Sequence, residues 1–201
     1  FEAKLEVNNG GAQLEKISLD ECDIYLYDWG SAEFVEGDIS WLHVAQPDYA
    51  DQETLKFSNI RFLQNEIKLD YSASFENNIF ENSISVHGKS SFVGDEFQGD
   101  LYIYNSSASF KDLQFQVPWS FGGSKIYVCE DNTIDGLTVK SDSSNPFTIW
   151  VAMNKKIALD GTIDWTGLSH NNGTFIVDTT QSSSSIDDRA QWRPQRANIK
   201  R

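Results

Sequence analysis

Hydrophobic positions along the middle of this 201-residue chain fall in pairs five residues apart: Phe57/Phe62, Phe75/Phe80, Phe92/Phe97 and Phe110/Phe115. First members of successive pairs are offset by 18, 17 and 18 residues. Residues 67–83 (IKLDYSASFENNIFENS) align without a gap on residues 84–100 (ISVHGKSSFVGDEFQGD), and LYIYNSSASFKDLQFQ follows from Leu101 with one inserted residue. A fixed period of roughly twenty residues marks a solenoid.

The spacing of five constrains the elements. On a straight strand residues i and i+5 point to opposite faces, and on an α-helix they lie about 140° apart, so neither buries both rings. Two short strands joined by a corner do. The chain can turn at Asn77-Asn78, Gly94-Asp95 or Lys111-Asp112 and aim the second ring inward again. At about 3.3 Å per strand residue, a 17- or 18-residue coil traces about 58 Å, enough for a three-sided rung stacked at about 4.8 Å on its neighbours. The pattern predicts an all-β chain: a parallel β-helix (β-solenoid) with rungs of about 17–24 residues, seven or eight in number, and two phenylalanine ladders in its core.

Outside the central units the pairs continue as Leu14/Leu19, Phe34/Ile39 and Ile134/Val139. The period breaks at VPWSFGGS (residues 117–124), which reads as a lateral loop. FTIWVAM, KIALDGTIDW and GTFIVDT read as further strands from their β-branched and aromatic content. Helical periodicity is confined to an acidic stretch at residues 49–57 that reads equally as a loop between coils. The solenoid is expected over residues 1–178, and residues 179–201 as a Ser-rich, then basic, tail or linker. The chain begins at Phe1, as expected of a processed form or an excised piece. It has no run of 18 apolar residues to cross a membrane as a helix.

Charge narrows the partners. The net charge is −14; the tail holds five bases against two acids, net +3, which leaves −17 on residues 1–178. Such a body repels phosphates, so no nucleic-acid partner is expected. Cys22 and Cys129 fit no zinc spacing and read as small core thiols, though they could also staple distant coils. His43, His87 and His170 are scattered, and no phosphate loop, nucleophile elbow or zinc motif is present. Acid groups such as Asp20/Glu21/Asp23, Glu130/Asp131/Asp135 and Asp160/Asp164 could hold Ca²⁺ or form a glycosidase couple. With 30 acids in the chain, chance proximity explains them more simply. No cofactor is expected, Ca²⁺ being the one ion left open.

Trp29, Trp41, Trp119, Trp150 and Trp165 exceed what a slim core accommodates. Tryptophan faces stack on sugars, and solenoid flanks offer flat surfaces, so Trp119, Trp150 and Trp165 are the candidate ligand-binding residues, against a simpler core or capping role. Asn105-Ser-Ser and Asn172-Gly-Thr are glycosylation sequons.

Two FxxN tetrads, 62–65 and 75–78, and one GGA at 10–12 resemble the repeats of polymorphic outer-membrane autotransporters, a branch of the parallel β-helix surface proteins. The resemblance covers residues 57–115 and implies an adhesin displayed at the cell surface or outside the cell. The expected function is a non-enzymatic scaffold binding glycan or a host or cell-surface protein through a flank or lateral loop. Two alternatives stay open: a polysaccharide lyase or glycoside hydrolase on a β-helix, and a periplasmic lipid-handling protein with an open amphipathic groove lined by the phenylalanines.

Overall fold

The computed structural model describes residues 2–8, 10–27, 30–45, 55–63, 66–117, 124–141, 144–170 and 173–181. Over these residues the chain is a parallel β-solenoid whose coils have three faces. The first two faces share one sheet, bent at a corner. Its longer strands, β2 (Gly11–Leu19), β4 (Ser31–Ile39), β6 (Leu55–Phe62), β14 (Ser109–Val117), β16 (Asn132–Ser141) and β18 (Ile157–Asp164), run through the bend. In the tightest coils the strand divides there, into β8 (Ala73–Glu76) and β9 (Ile79–Phe80), then β11 (Ser91–Val93) and β12 (Glu96–Phe97). The third face is a three-stranded sheet, β1 (Glu2–Asn8), β3 (Glu21–Tyr27) and β5 (Leu42–Ala45). It is followed by a six-stranded flank sheet of β7 (Glu66–Leu69), β10 (Ser83–Val86), β13 (Leu101–Ile103), β15 (Lys125–Val128), β17 (Phe147–Ala152) and β19 (Phe175–Gln181). One helix, α1 (Thr166–His170), lies between β18 and β19.

Register confirms the repeat and extends it in both directions. Leu14, Phe34, Phe57, Phe75, Phe92, Phe110, Ile134 and Leu159 are aligned in successive coils, giving steps of 20, 23, 18, 17, 18, 24 and 25 residues. On the flank the step from Ile149 to Val177 reaches 28 residues, beyond the expected 24, because the connection between β18 and β19 carries the helix. β19 also carries the solenoid past residue 178, to Gln181. Of the acidic stretch at 49–57, residues 55–57 belong to β6 and the rest lies outside the described residues.

The phenylalanines form two ladders. Phe34, Phe57, Phe75, Phe92 and Phe110 stack at 4.8–5.2 Å, and Phe62, Phe80, Phe97 and Phe115 at 4.9–5.1 Å. Rings of the two ladders meet edge to face within a coil, as for Phe75 and Phe80 at 5.6 Å. This is the favoured geometry for ring quadrupoles. Ile67, Leu69, Ile84, Val86, Leu101, Ile103, Ile126 and Val128 close the core from the third face. The interior is filled with side chains, so the phenylalanines line a sealed core and not the open groove of the lipid-handling alternative.

A column of left-handed residues makes the bend between the first two faces: Lys16, Glu36, Asn59, Asn77, Gly94, Asp112, Gly136 and Gly161, with φ between 52° and 89°. Asn and Asp tolerate this region better than most residues, and Gly adopts it freely. At Gly94 an added Cβ would lie 2.6 Å from the Asn77 side chain, so stacking as well as φ favours glycine there.

Candidate functional site

Irregular chain is distributed unevenly around the coils. The second corner, from the second face to the third, is crossed by one to three residues in the early coils. Later it is crossed by seven residues between Val117 and Lys125, five between Ser141 and Phe147, and ten between Asp164 and Phe175. Segments that leave a regular ladder must run over the surface, and a rigid scaffold then holds them in place. Trp119 belongs to the first of these segments and lies outside the described residues. Trp165 opens the third, and Trp150 is central in β17, on the flank that begins at this corner. The fold therefore places Trp165 at this corner and Trp150 on the flank sheet that follows it, in separate clusters.

Trp165 is half-buried against the core, its ring 4.8 Å from Phe175 and inclined by 33°. Leu168 of α1 is buried beneath it in the chain's order and Gly173 N–H donates to the Leu168 carbonyl at 2.8 Å, which draws the connection back onto the coil. This placement closes the core at the last coils. Trp41, by contrast, is 52% exposed between β4 and β5.

Trp150 sits in an aromatic column on the outer face of the flank sheet. Tyr102, Tyr127 and Trp150 occupy the same position in β13, β15 and β17. Tyr102 and Tyr127 stack at 4.3 Å and 1°, and Trp150 meets Tyr127 edge to face at 4.7 Å. Lys125 Nζ lies 5.5 Å from the Trp150 ring centre, a cation–π distance. Beside the column, His87 stacks on Tyr104 at 4.5 Å and 9°, the outward rung position expected for this histidine. The sequence pattern does not single out Tyr102, Tyr104, Tyr127 and Lys125. Their signal is the alternation in LYIY, KIYV and TIWV, where core aliphatics take one face and aromatics the other.

A shallow trough of about 800 Å³ runs along the first face, lined in part by Ser109, Lys111, Asp131, Thr133, Asp135 and Lys156. Two of its lining residues, Asp131 and Asp135, belong to the acid groups noted in the sequence. Asp131 accepts the Lys156 backbone N–H at 2.8 Å, and Glu130 pairs with Lys155 at 2.5 Å. Asp135 aligns with Asp160 in the next coil. Asp164 accepts from the N–H and hydroxyl of Thr166 at 2.9 and 2.8 Å, which lowers its pKa from the ordinary carboxylate value. Asp131, Glu130 and Asp164 thus serve backbone and ion-pair contacts. Among the described residues no group of three or more His, Cys, Asp or Glu side chains is placed to hold a metal ion.

The cysteines stay apart. Cys22 is in the inner core, its thiol pushed up to about 11 by burial and then by Asp23. Cys129 belongs to the outer cluster with Tyr127 and Trp150. Both are buried thiols with no disulfide. Asn105 serves its turn: its Nδ2 donates to the His87 carbonyl at 2.7 Å and its Oδ1 accepts from Ser107 N–H at 2.7 Å. Asn172 lies outside the described residues, as do Trp29 and the end of the first FxxN tetrad. No helix among the described residues is long and apolar enough to cross a membrane. Comparison with protein-family models, curated proteins and solved structures finds no match to this chain.

Proposed function

We propose that this chain is a non-enzymatic β-solenoid scaffold, displayed at the cell surface or outside the cell, that binds glycan or protein at the second corner of its last coils. The observation that supports this reading most is the concentration of long connections at one edge of a regular ladder, with Trp119 and Trp165 in those connections. Lys125 lies over Trp150 on the adjoining flank, where Trp150 is only 8% exposed and so supports the flank from beneath and presents no open face. Indole rings offer flat apolar faces to the C–H faces of sugars, and the coil beneath supplies rigidity without needing a deep cleft. Weak contacts repeated along an edge then add by avidity. The autotransporter-like tetrads agree with a displayed adhesin, and the acidic body suits a soluble, extended surface.

The test is a glycan array and a cell-adhesion assay with the parent chain and Trp119→Ala. Binding should fall at least tenfold while the melting temperature stays within about 2 °C, as for a surface substitution. A large drop in stability with binding intact would place Trp119 in the core and remove the site. The same preparations should show no turnover on pectin, alginate or glucan with or without Ca²⁺. Robust turnover abolished by Asp131→Asn or Asp135→Asn would replace the scaffold reading with the polysaccharide-cleaving one.

A further inference from the structure

The trough on the first face is built by turns of unequal length at the third corner, where the chain passes from the third face back to the first. Five residues cross this corner between Ile103 and Ser109 and, two coils later, four between Ala152 and Ile157. Only three, 129–131, cross it in the coil between, so Ser106 and Lys156 border the trough on either side of a shorter rung. Both borders are tied to that rung. Asn132 Nδ2 donates to the carbonyls of Asn105 and Ala108 at 3.1 and 3.3 Å, and its backbone N–H donates to the Lys156 carbonyl at 3.0 Å. Asp131 accepts the Lys156 backbone N–H at 2.8 Å. The protein's own hydrogen bonds thus hold both walls, and a ligand need not order them, which lowers the cost of binding.

We propose that this trough binds an uncharged, extended saccharide chain laid along the solenoid axis, across β11, β14, β16 and β18. It spans three inter-strand steps, about 14 Å at 4.8 Å per step, which is room for a few sugar rings. Its base is apolar: Val93 is 39% exposed, and Ala158 is exposed on the same face as Thr133, its partner in register. Such a surface suits the C–H faces of pyranose rings. Around it stand the Ser109 and Thr133 hydroxyls, the Lys111 and Lys156 ammonium groups and the Asp135 carboxylate. All five side chains are exposed, and none makes a hydrogen bond or ion pair among the described residues. An ammonium only donates, a carboxylate only accepts and a hydroxyl does both, which is the mixed set that neighbouring sugar hydroxyls require. Other ligands fit less well. The two lysines are balanced by Asp131 and Asp135 in a chain of net charge −14, so a polyanion gains nothing here. An extended peptide would need free backbone partners, and β14 and β16 are hydrogen-bonded to strands on both sides. The trough uses no tryptophan and lies apart from the second corner, so this inference does not depend on what that corner binds.

The experiment is isothermal titration calorimetry of the full chain with cellohexaose, xylohexaose and mannohexaose, and with hexagalacturonate as a charged chain of the same length. At least one uncharged hexasaccharide should bind at least tenfold more tightly than hexagalacturonate. Lys111→Ala combined with Asp135→Ala removes a donor and an acceptor and should weaken that binding at least tenfold. Ala158→Trp fills the trough and should abolish it. Both variants change exposed positions, and melting temperatures within about 2 °C of the parent mark them as folded. If Ala158→Trp lowers the melting temperature further, the double variant decides. Binding of none of the three uncharged chains, tighter binding of hexagalacturonate, or affinity unchanged in the double variant overturns the proposal. Trp119→Ala should leave the affinity as it is. Loss of saccharide binding in that variant would assign the sugar to the second corner and overturn the trough alone, whereas adhesion that ignores Trp119 while the trough still binds would overturn the corner alone.

Discussion

Asn78 and Asp95 occupy the same corner position in consecutive coils, and the Asn78 side-chain amide donates to Asp95 Oδ1 at 2.9 Å inside an otherwise apolar column. Ile60, Leu113 and Leu137 hold that position in other coils. Asp95 Oδ1 also accepts the Asn78 backbone N–H at 2.7 Å, and Oδ2 accepts from Val93 N–H at 3.0 Å. Asn78 in turn accepts from Ile60 N–H at 2.8 Å and donates to the Phe57 carbonyl at 3.0 Å. Each polar side chain thus satisfies backbone groups of the coil before it, where the left-handed corner interrupts the ladder.

Burial pushes the Asp95 carboxyl up to about 7, against the hydrogen bonds from Asn78 and Val93 that favour its ionised form. The folded chain therefore holds this proton more tightly than the unfolded chain. Its stabilising contribution is complete below pH 3.8 and is lost as the pH rises through about 7, a change of roughly 4 kcal/mol. Asp95→Asn removes the titration. Measured by thermal melting, the variant should gain on the parent by roughly 5–10 °C between pH 5 and pH 8. Parallel pH profiles would contradict a buried, proton-holding Asp95.

Phe92 stands between Phe75 at 4.8 Å and Phe110 at 5.2 Å and is fully buried. Phe92→Ala should cost about 3–5 kcal/mol, read as a shift in the urea midpoint, because neighbouring rungs cannot close the cavity. A cost below about 1 kcal/mol would mean that the ladder is loosely packed. Phe97→Leu, which keeps most of the volume, should cost much less.

At the first corner, Glu36 has φ 62° with a side chain that glycine would dispense with. Glu36→Gly should leave stability unchanged or raise it by up to about 1 kcal/mol, since the left-handed penalty of about 1–2 kcal/mol outweighs the added entropy of the unfolded chain. Gly94→Val, by contrast, combines φ 70° with a Cβ at 2.6 Å from Asn77 Oδ1 and should destabilise by about 1–3 kcal/mol. Equal effects of the two substitutions, in chemical denaturation, would rule out the corner as the constraint.

Gly88 and Gly99 mark tight approaches between coils: an added Cβ would come within 1.9 Å of the Tyr71 carbonyl oxygen and 2.3 Å of the Asn82 carbonyl carbon. Gly88→Ala should therefore shift the coil it joins and lower the melting temperature by several degrees, whereas Gly11→Ala, with its nearest contact a serine hydroxyl at 3.2 Å, should be tolerated. Circular dichroism melts of the two variants distinguish them.

The amino-acid order by itself determined the repeat, the parallel stacking, the two phenylalanine ladders and the turns at Asn77, Gly94 and Asp112. In a solenoid like positions stack on like, so one coil's pattern is read again in the next, and even the loose pairs Leu14/Leu19 and Ile134/Val139 fall in register. Tertiary structure alone decided that Trp165 packs on Phe175, that Cys22 and Cys129 lie in separate clusters, and that long connections gather at one corner. It also decided that Asn78 and Asp95 are buried, although both read as turn residues. Alternation along a strand tells which side a residue takes. Whether that side meets water depends on segments distant in sequence, which is why the burial of Tyr127, Trp150 and Asp178 could not be read from their own strands.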